Sequence, residues 1–222
     1  MKLGVFDIVG PIMIGPSSSH TAGAVRLGRL ARAILGKDPC KADIFLHGSF
    51  AQTCKGHGTD LALVAGLLGM RTDDKRISHS LEMAKAAGLQ VKFAKADLGF
   101  VHPNTVKLVL EDDQGTVRTV VGSSVGGGNI VVSQINDFAV EFTGEFFTLC
   151  VLYPDRIGMV ARVSALLAEG QVNIARMRVS RKARGAKALM VVETDNTVPP
   201  EVLALIRKMK YIDKVIAIDP ID

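Results

Sequence analysis

Tryptophan is absent from the 222 residues, and aromatic residues of all kinds make up only 5% of them. Cores built from this chain must therefore be aliphatic and rich in alanine and glycine. A surface that stacks nucleic-acid bases on aromatic rings is disfavoured by the same scarcity. Cysteine is scarce too: Cys40, Cys54 and Cys150 are widely spaced and form no Cys-x-x-Cys pair. That argues against a disulfide framework and against a metal or cluster site made wholly by this chain. Cys54 alone lies in a polar stretch; a free cysteine is by default a small buried apolar residue. No apolar run approaches the ~20 residues of a membrane-spanning helix. Met1 to Asp7 lacks the charged start and long apolar stretch of a signal peptide. The expectation is a soluble, cytoplasmic protein with no membrane partner.

What is present is ample for cores: 48% of residues are apolar, and the length suits two domains. The net charge is +5, and its distribution is uneven. From Phe146 onward 12 Lys and Arg face 8 Asp and Glu. Most of the excess lies in Arg176, Arg178, Arg181, Lys182, Arg184 and Lys187. No aromatic residue is interleaved with these charges and no nucleic-acid motif accompanies them, so they read as a solvated hairpin, with no nucleic-acid partner.

Hydrophobic periodicity divides the chain. Ala22 to Leu35 carries Leu27, Leu30, Ala31 and Ile34 at helical spacing. Ala42 to Leu46 reads as a strand, Leu61 to Leu68 as a buried helix ended by Gly69, and Ser78 to Ala87 as a helix closed by Gly88. Val91 to Phe93, Thr105 to Leu110, Thr116 to Val121 and Ile130 to Ile135 are strand-like, the middle pair joined through Asp112-Asp113-Gln114-Gly115. This is an α/β domain with a mixed sheet, over 1–143. After Thr143-Gly144-Glu145 a second domain, 146–222, shows strand Phe147 to Leu152, helix Met159 to Ala168, strands Val172 to Ser180 and Ala188 to Glu193, helix Pro200 to Met209 and strand Val215 to Ile218. That βαββαβ order is ferredoxin-like, α+β.

The densest polar motif is Gly15-Pro16-Ser17-Ser18-Ser19-His20-Thr21, at the start of the first helix. Free N–H groups there favour an anion, and Ser17, Ser18, Ser19 and Thr21 add hydroxyl donors beyond what capping needs. The motif reads as a seat for a carboxylate or phosphate with an imidazole beside it. His47 ends a strand; His57 lies between two glycines, with Asp60 three residues on. Strand ends and Gly-rich turns are where α/β proteins place ligands, and an imidazole beside a carboxylate can act as an acid or base near neutral pH. His79 reads as structural. Ser123-Ser124-Val125-Gly126-Gly127-Gly128-Asn129 is either a backbone anion nest or a tight strand connection. In the second domain Asp155, Arg156 and Gly158 of a pre-helix turn, with Asn173 at a strand start, are candidates to grip the charged ends of an amino acid; ordinary turn chemistry is the plainer reading.

These residues carry a resemblance. Phe6-Asp7-Ile8-Val9-Gly10-Pro11 and Ile14 to Gly23, with His47-Gly48-Ser49-Phe50, Gly56-His57-Gly58-Thr59-Asp60 and His102-Pro103-Asn104-Thr105, resemble the beta subunit of iron–sulfur-dependent L-serine dehydratase. The first domain is similar to an allosteric substrate-binding domain also seen in one class of phosphoglycerate dehydrogenase. The second, with Asp155-Arg156-Ile157-Gly158 and Asn173-Ile174, resembles an ACT domain, a regulatory unit that often pairs and binds amino acids. The resemblance implies conversion of L-serine to pyruvate and ammonia without pyridoxal phosphate, in amino-acid metabolism and gluconeogenesis. It implies a [4Fe–4S] cluster on a partner alpha subunit, acting as Lewis acid. Single-chain members continue into a catalytic domain, so this chain resembles one half of a heteromeric enzyme. On that basis Ser17, Ser18, Ser19 and Thr21 would bind the substrate carboxylate. His20 and His57 would be base and orienting groups, Asp60 would hold His57 or the substrate ammonium, and His47 would assist. The base is His20, His57 or a group on the partner. A purely regulatory, amino-acid-binding subunit is the competing expectation.

Overall fold

A computed structural model of the chain describes residues 12–221. Phe6 to Pro11, part of the resemblance above, lie outside the described residues. The chain divides into two compact units, the first through Asn136 and the second over Asp137–Pro220. Thr143-Gly144-Glu145 lies within the second, between its first two strands.

The first unit opens with a π-helical turn, Ser18–Ala22, that runs straight into helix α1, Gly23–Leu35. Strand β1 (Pro39–Leu46) follows, then the short helix α2 (Gly48–Thr53), helix α3 (Thr59–Leu67), a 3₁₀ turn (Lys75–His79) and helix α4 (Ser80–Ala86). Strands β2 (Gln90–Lys95), β3 (Thr105–Asp112), β4 (Val117–Gly126) and β5 (Asn129–Ile135) complete it. Helix α2 falls where the sequence showed only polar turns. Its six residues bury Phe50 alone, too little apolar periodicity to mark a helix.

The strand order in this unit is β2-β1-β3-β4-β5. β1 and β2 are parallel; the other neighbours are antiparallel. Helix α1 lies on β3, β4 and β5, which is why Leu27, Leu30, Ala31 and Ile34 are all buried. Its fit onto β4 depends on Gly122, where a Cβ would come within 2.5 Å of Leu27 Cδ2. Helix α3 packs on α1, α4 and the π-turn. It is therefore apolar all round, with Ala62, Leu63, Val64, Ala65 and Leu67 each no more than 1% exposed. This crossing of α1 and α3 brings the start of each helix to one region.

The second unit begins with β6 (Phe138–Phe142), then β7 (Phe147–Pro154), helix α5 (Met159–Glu169), β8 (Ile174–Arg181), β9 (Lys187–Thr194), helix α6 (Pro200–Lys208) and β10 (Lys214–Ile218). From β7 onward this is the βαββαβ order, with the sheet arranged β10-β7-β9-β8 and all neighbours antiparallel. Alternate residues of β7 (Phe147, Leu149, Val151, Tyr153) and β9 (Ala188, Met190, Val192) face Met159, Val163 and Leu167 of α5 and Val202 and Ile206 of α6. The fold is ferredoxin-like.

Candidate functional site

The chain before the motif is anchored at a turn that follows α3. Ile14 N–H donates to Thr72 O (3.0 Å), and Thr72 Oγ1 donates to Ile12 O (3.0 Å). The serines then form the π-helical turn. Ser17 is its cap: its Oγ accepts His20 N–H at 3.3 Å and its carbonyl accepts Thr21 N–H at 2.8 Å. A widened turn of this kind is uncommon and recurs at functional sites. Ser18 and Ser19 hold half-buried hydroxyls for which no partner is found among the described residues. With one capping serine engaged and two hydroxyls left at a helix start, the turn keeps the donors an anion needs.

His20 is the centre of the cluster. Its Nδ1 lies 3.3 Å from Ser17 Oγ and its Nε2 3.0 Å from Ser49 Oγ. The His57 ring meets it edge-on, with centroids 4.8 Å apart and planes at 80°, and the fully buried Phe50 ring packs at 5.4 Å. Burial, and then the neighbouring His57, hold the His20 imidazole below the usual histidine range, so the ring is neutral near pH 7. His57 is carried by the turn between α2 and α3: its N–H donates to Thr53 O (3.0 Å), and its carbonyl accepts Thr21 Oγ1 at 3.5 Å. Its Nδ1 is buried with no partner among the described residues.

The cluster thus joins Ser17, His20, Thr21 and His57, with Ser18 and Ser19 on the same turn. Two other sequence candidates are engaged elsewhere. Asp60 Oδ1 accepts Leu61 N–H at 2.9 Å, in the first turn of α3. His47 Nδ1 accepts Leu98 N–H at 3.1 Å, with the Asp97 carboxylate 3.8 Å away, so its ring secures the turn after β2. Ser49 and Phe50, which the sequence offered only as part of a motif, touch His20 directly. Their position depends on Gly48, whose φ of +52° and tight approach to Pro103 no side chain would allow. The 123–129 glycine run is a hairpin between β4 and β5 with a register shift at Ser124/Gly126, and Gly128 O accepts Arg26 Nη1 at 2.9 Å.

In the second unit, Asp155 accepts Gly185 N–H (3.1 Å) and Arg181 Nη1 (3.0 Å), which hold its carboxyl below the usual range. Asn173 Nδ2 donates to Asp195 at 2.6 Å. Gly158 precedes α5 in the left-handed region, and the Arg156 guanidinium sits 4.1 Å over the Tyr211 ring. A cavity of about 430 Å³ is lined by Asp155, Arg156, Ile157, Met159, Arg162 and Tyr211; Asn173 is not part of it.

Among the described residues no three His, Cys, Asp or Glu side chains gather into a group able to hold a metal ion. Cys150 is buried in the second unit, its thiol pushed up to about 12 by burial; Cys40 is exposed on β1 and Cys54 half-buried after α2. These residues do not fit an iron–sulfur cluster, which needs convergent thiolates. No helix among the described residues is long and apolar enough to cross a membrane.

An α/β unit with a hydroxyl-rich, imidazole-bearing helix entrance, followed by a ferredoxin-like unit, defines a class of two-unit α/β plus α+β proteins. Comparison narrows the class. The family model described as serine dehydratase beta chain matches residues 4–135, and the ACT domain model matches residues 148–210. The probable L-serine dehydratase beta chain of Bacillus subtilis is 42% identical over 211 residues, covering 95% of this chain and 96% of that one. The L-serine dehydratase beta chain of Peptoniphilus asaccharolyticus is 44% identical over 191 residues, 86% of each chain. A D-3-phosphoglycerate dehydrogenase of Methanocaldococcus jannaschii is 29% identical over 52% of this chain and 22% of its own length. The chain belongs to the serine dehydratase beta chain family and carries an ACT domain.

Proposed function

We propose that this chain is the beta subunit of a cytoplasmic L-serine dehydratase and that its π-turn seats the carboxylate of L-serine in an active site completed by an alpha subunit. The observation that carries the reading is the convergence of the helix entrance with two imidazoles, His20 and His57, at 4.8 Å. The N–H groups that open the turn and the hydroxyls of Ser18 and Ser19 supply donors to a carboxylate, and the Thr21 hydroxyl adds one on leaving His57 O. A carboxylate bound this way would leave the substrate Cα on the side of the His20 imidazole, whose lowered pKa favours the neutral ring a general base needs.

The reaction removes the Cα proton of L-serine and the Cβ hydroxyl as water. The resulting enamine tautomerises to an imine, and its hydrolysis gives pyruvate and ammonia. In this reading the chain contributes binding and proton handling. A [4Fe–4S] cluster is, in the same reading, carried by the alpha subunit. Asp60, whose Oδ1 accepts Leu61 N–H, would offer its second oxygen to the substrate ammonium. In the ACT unit, Asp155, Arg156 and Gly158 would serve a regulatory amino acid, with self-association through that unit bringing in Asn173.

The test is reconstitution with the alpha subunit under anaerobic conditions, followed by a serine-to-pyruvate assay. His57→Ala should lower turnover at saturating serine by about 100-fold, the typical reach of a positioned acid or base, with the cluster spectrum unchanged. Full maximal turnover with altered serine cooperativity, in this variant and in Ser18→Ala, would instead make the site regulatory.

A further inference from the structure

Ser49 meets His20 across 29 positions of sequence. Its backbone is fixed from three sides. Gly48 is held in the left-handed region against Pro103, Ser49 N–H donates to Pro103 O at 2.9 Å, and Thr53 Oγ1 donates to Ser49 O at 2.8 Å. A serine on so constrained a turn has only its χ1 rotamer left to choose, and here Oγ stands 3.0 Å from His20 Nε2. Ser17 Oγ takes the other ring nitrogen.

The chemistry of the two partners matters. A hydroxyl can donate or accept, simply by rotating its O–H. Two hydroxyls can therefore serve a neutral imidazole in either tautomer and an imidazolium as well, with no heavy atom moving. A carboxylate partner would instead favour the charged ring, and a backbone N–H would forbid it. The titratable group facing His20 is His57.

We propose that Ser49 is a positioning residue for His20, fixing the ring through Nε2 so that it keeps one orientation in the site whichever protonation state it holds. This rests on the active-site reading above.

The test uses the full-length chain, alone and with the alpha subunit. In the complex, Ser49→Ala should lower kcat for L-serine about tenfold, a fraction of what a proton-transfer group supplies. Its KM should stay within about twofold, because the lost contact is not to substrate. In the full-length chain alone, the ¹⁵N signals of the His20 ring should shift in Ser49→Ala. Ser49→Thr, which keeps Oγ, should restore both readouts. Ser49→Cys, of similar volume and weaker hydrogen bonding, should fall between them, and it carries the test should the alanine variant fold poorly. A KM effect with unchanged kcat would make Ser49 a substrate contact and overturn the proposal. So would unchanged kcat and unchanged ring signals. If those results came while His57→Ala remained impaired, the active-site reading would stand and only the role of Ser49 would fall.

Discussion

Glu193 on β9 is 2% exposed, and its Oε1 has no partner among the described residues. Arg176 approaches the other oxygen at 3.3 Å. Burial raises the carboxyl above its ordinary 4.5, Arg176 opposes the rise, and Glu141 and Glu145 add to it. A group raised in the folded state binds more protons folded than unfolded, so its stabilising contribution is full below 4.5 and lost as pH rises through the folded value. Glu193→Gln keeps the shape and removes the titration. The unfolding free energy of the parent minus that of the variant should therefore increase as pH falls from 7 to below 4.5, measured by urea denaturation at each pH. A difference that stays flat would mean the carboxyl titrates normally. At this scale the sequence was legible where neighbours along the chain do the work and silent where they do not. The serines and His20 share one turn and were readable as a unit. Ser49 meets His20 only because β1 and α2 return the chain. Asp60 is three residues from His57, yet Gly58 breaks the helical phase between them at a φ of +67°, so the i, i+3 spacing does not bring the two side chains together.

At the scale of elements, β8 shows why composition alone misjudges a basic run. Arg178 pairs with Glu141 at 2.7 Å and Lys182 with Asp137, both acids carried by or beside β6; Arg181 pairs with Asp155 and Lys187 with Asp213. The strand is basic in sequence and largely compensated in space. Strand β6 was not read from the sequence, although Phe138, Val140 and Phe142 alternate with exposed Ala139 and Glu141; five residues are too few for period two to stand out. The crossing of α1 and α3 was invisible for another reason. It rests on Gly28 and Gly66, whose small size matters only once the helices meet. A Cβ on Gly66 would lie 2.1 Å from Val25 O and 2.8 Å from Arg29 N, both backbone atoms that cannot swing aside. Gly66→Ala should therefore cost about 1–3 kcal/mol, exceeding the gain of roughly 1 kcal/mol in helix propensity. Gly56→Ala, whose nearest neighbour is 3.7 Å away, should be close to neutral in the same chemical denaturation series. Equal stability of the two variants would show that the helices separate without cost.

For the molecule as a whole, the order of elements was the most legible feature. The βαββαβ unit could be read because each element carries its own local signals: a short apolar run in β7, a glycine after α5, Pro200 at the first turn of α6. Strand order within each sheet is non-local and came only with the structure. The second unit has a hydrophobic core of its own, and that core has a measurable consequence. Leu167 on α5 is fully buried against β7 and β9 in the second core. Leu167→Ala removes buried methyl groups and leaves a cavity, at a cost of about 2–5 kcal/mol. Since a compact unit with its own core opens cooperatively, the loss should appear in that unit alone. Hydrogen exchange of the full chain should show lost protection in β7, β9, α5 and α6, while α1, α3 and β4 exchange as in the parent. Equal loss in both sets of elements would mean that the chain unfolds as one block, and the first unit's site would then be coupled to anything that binds the second. Loss confined to the second unit would require any regulatory signal to travel by a change in contacts rather than by shared stability.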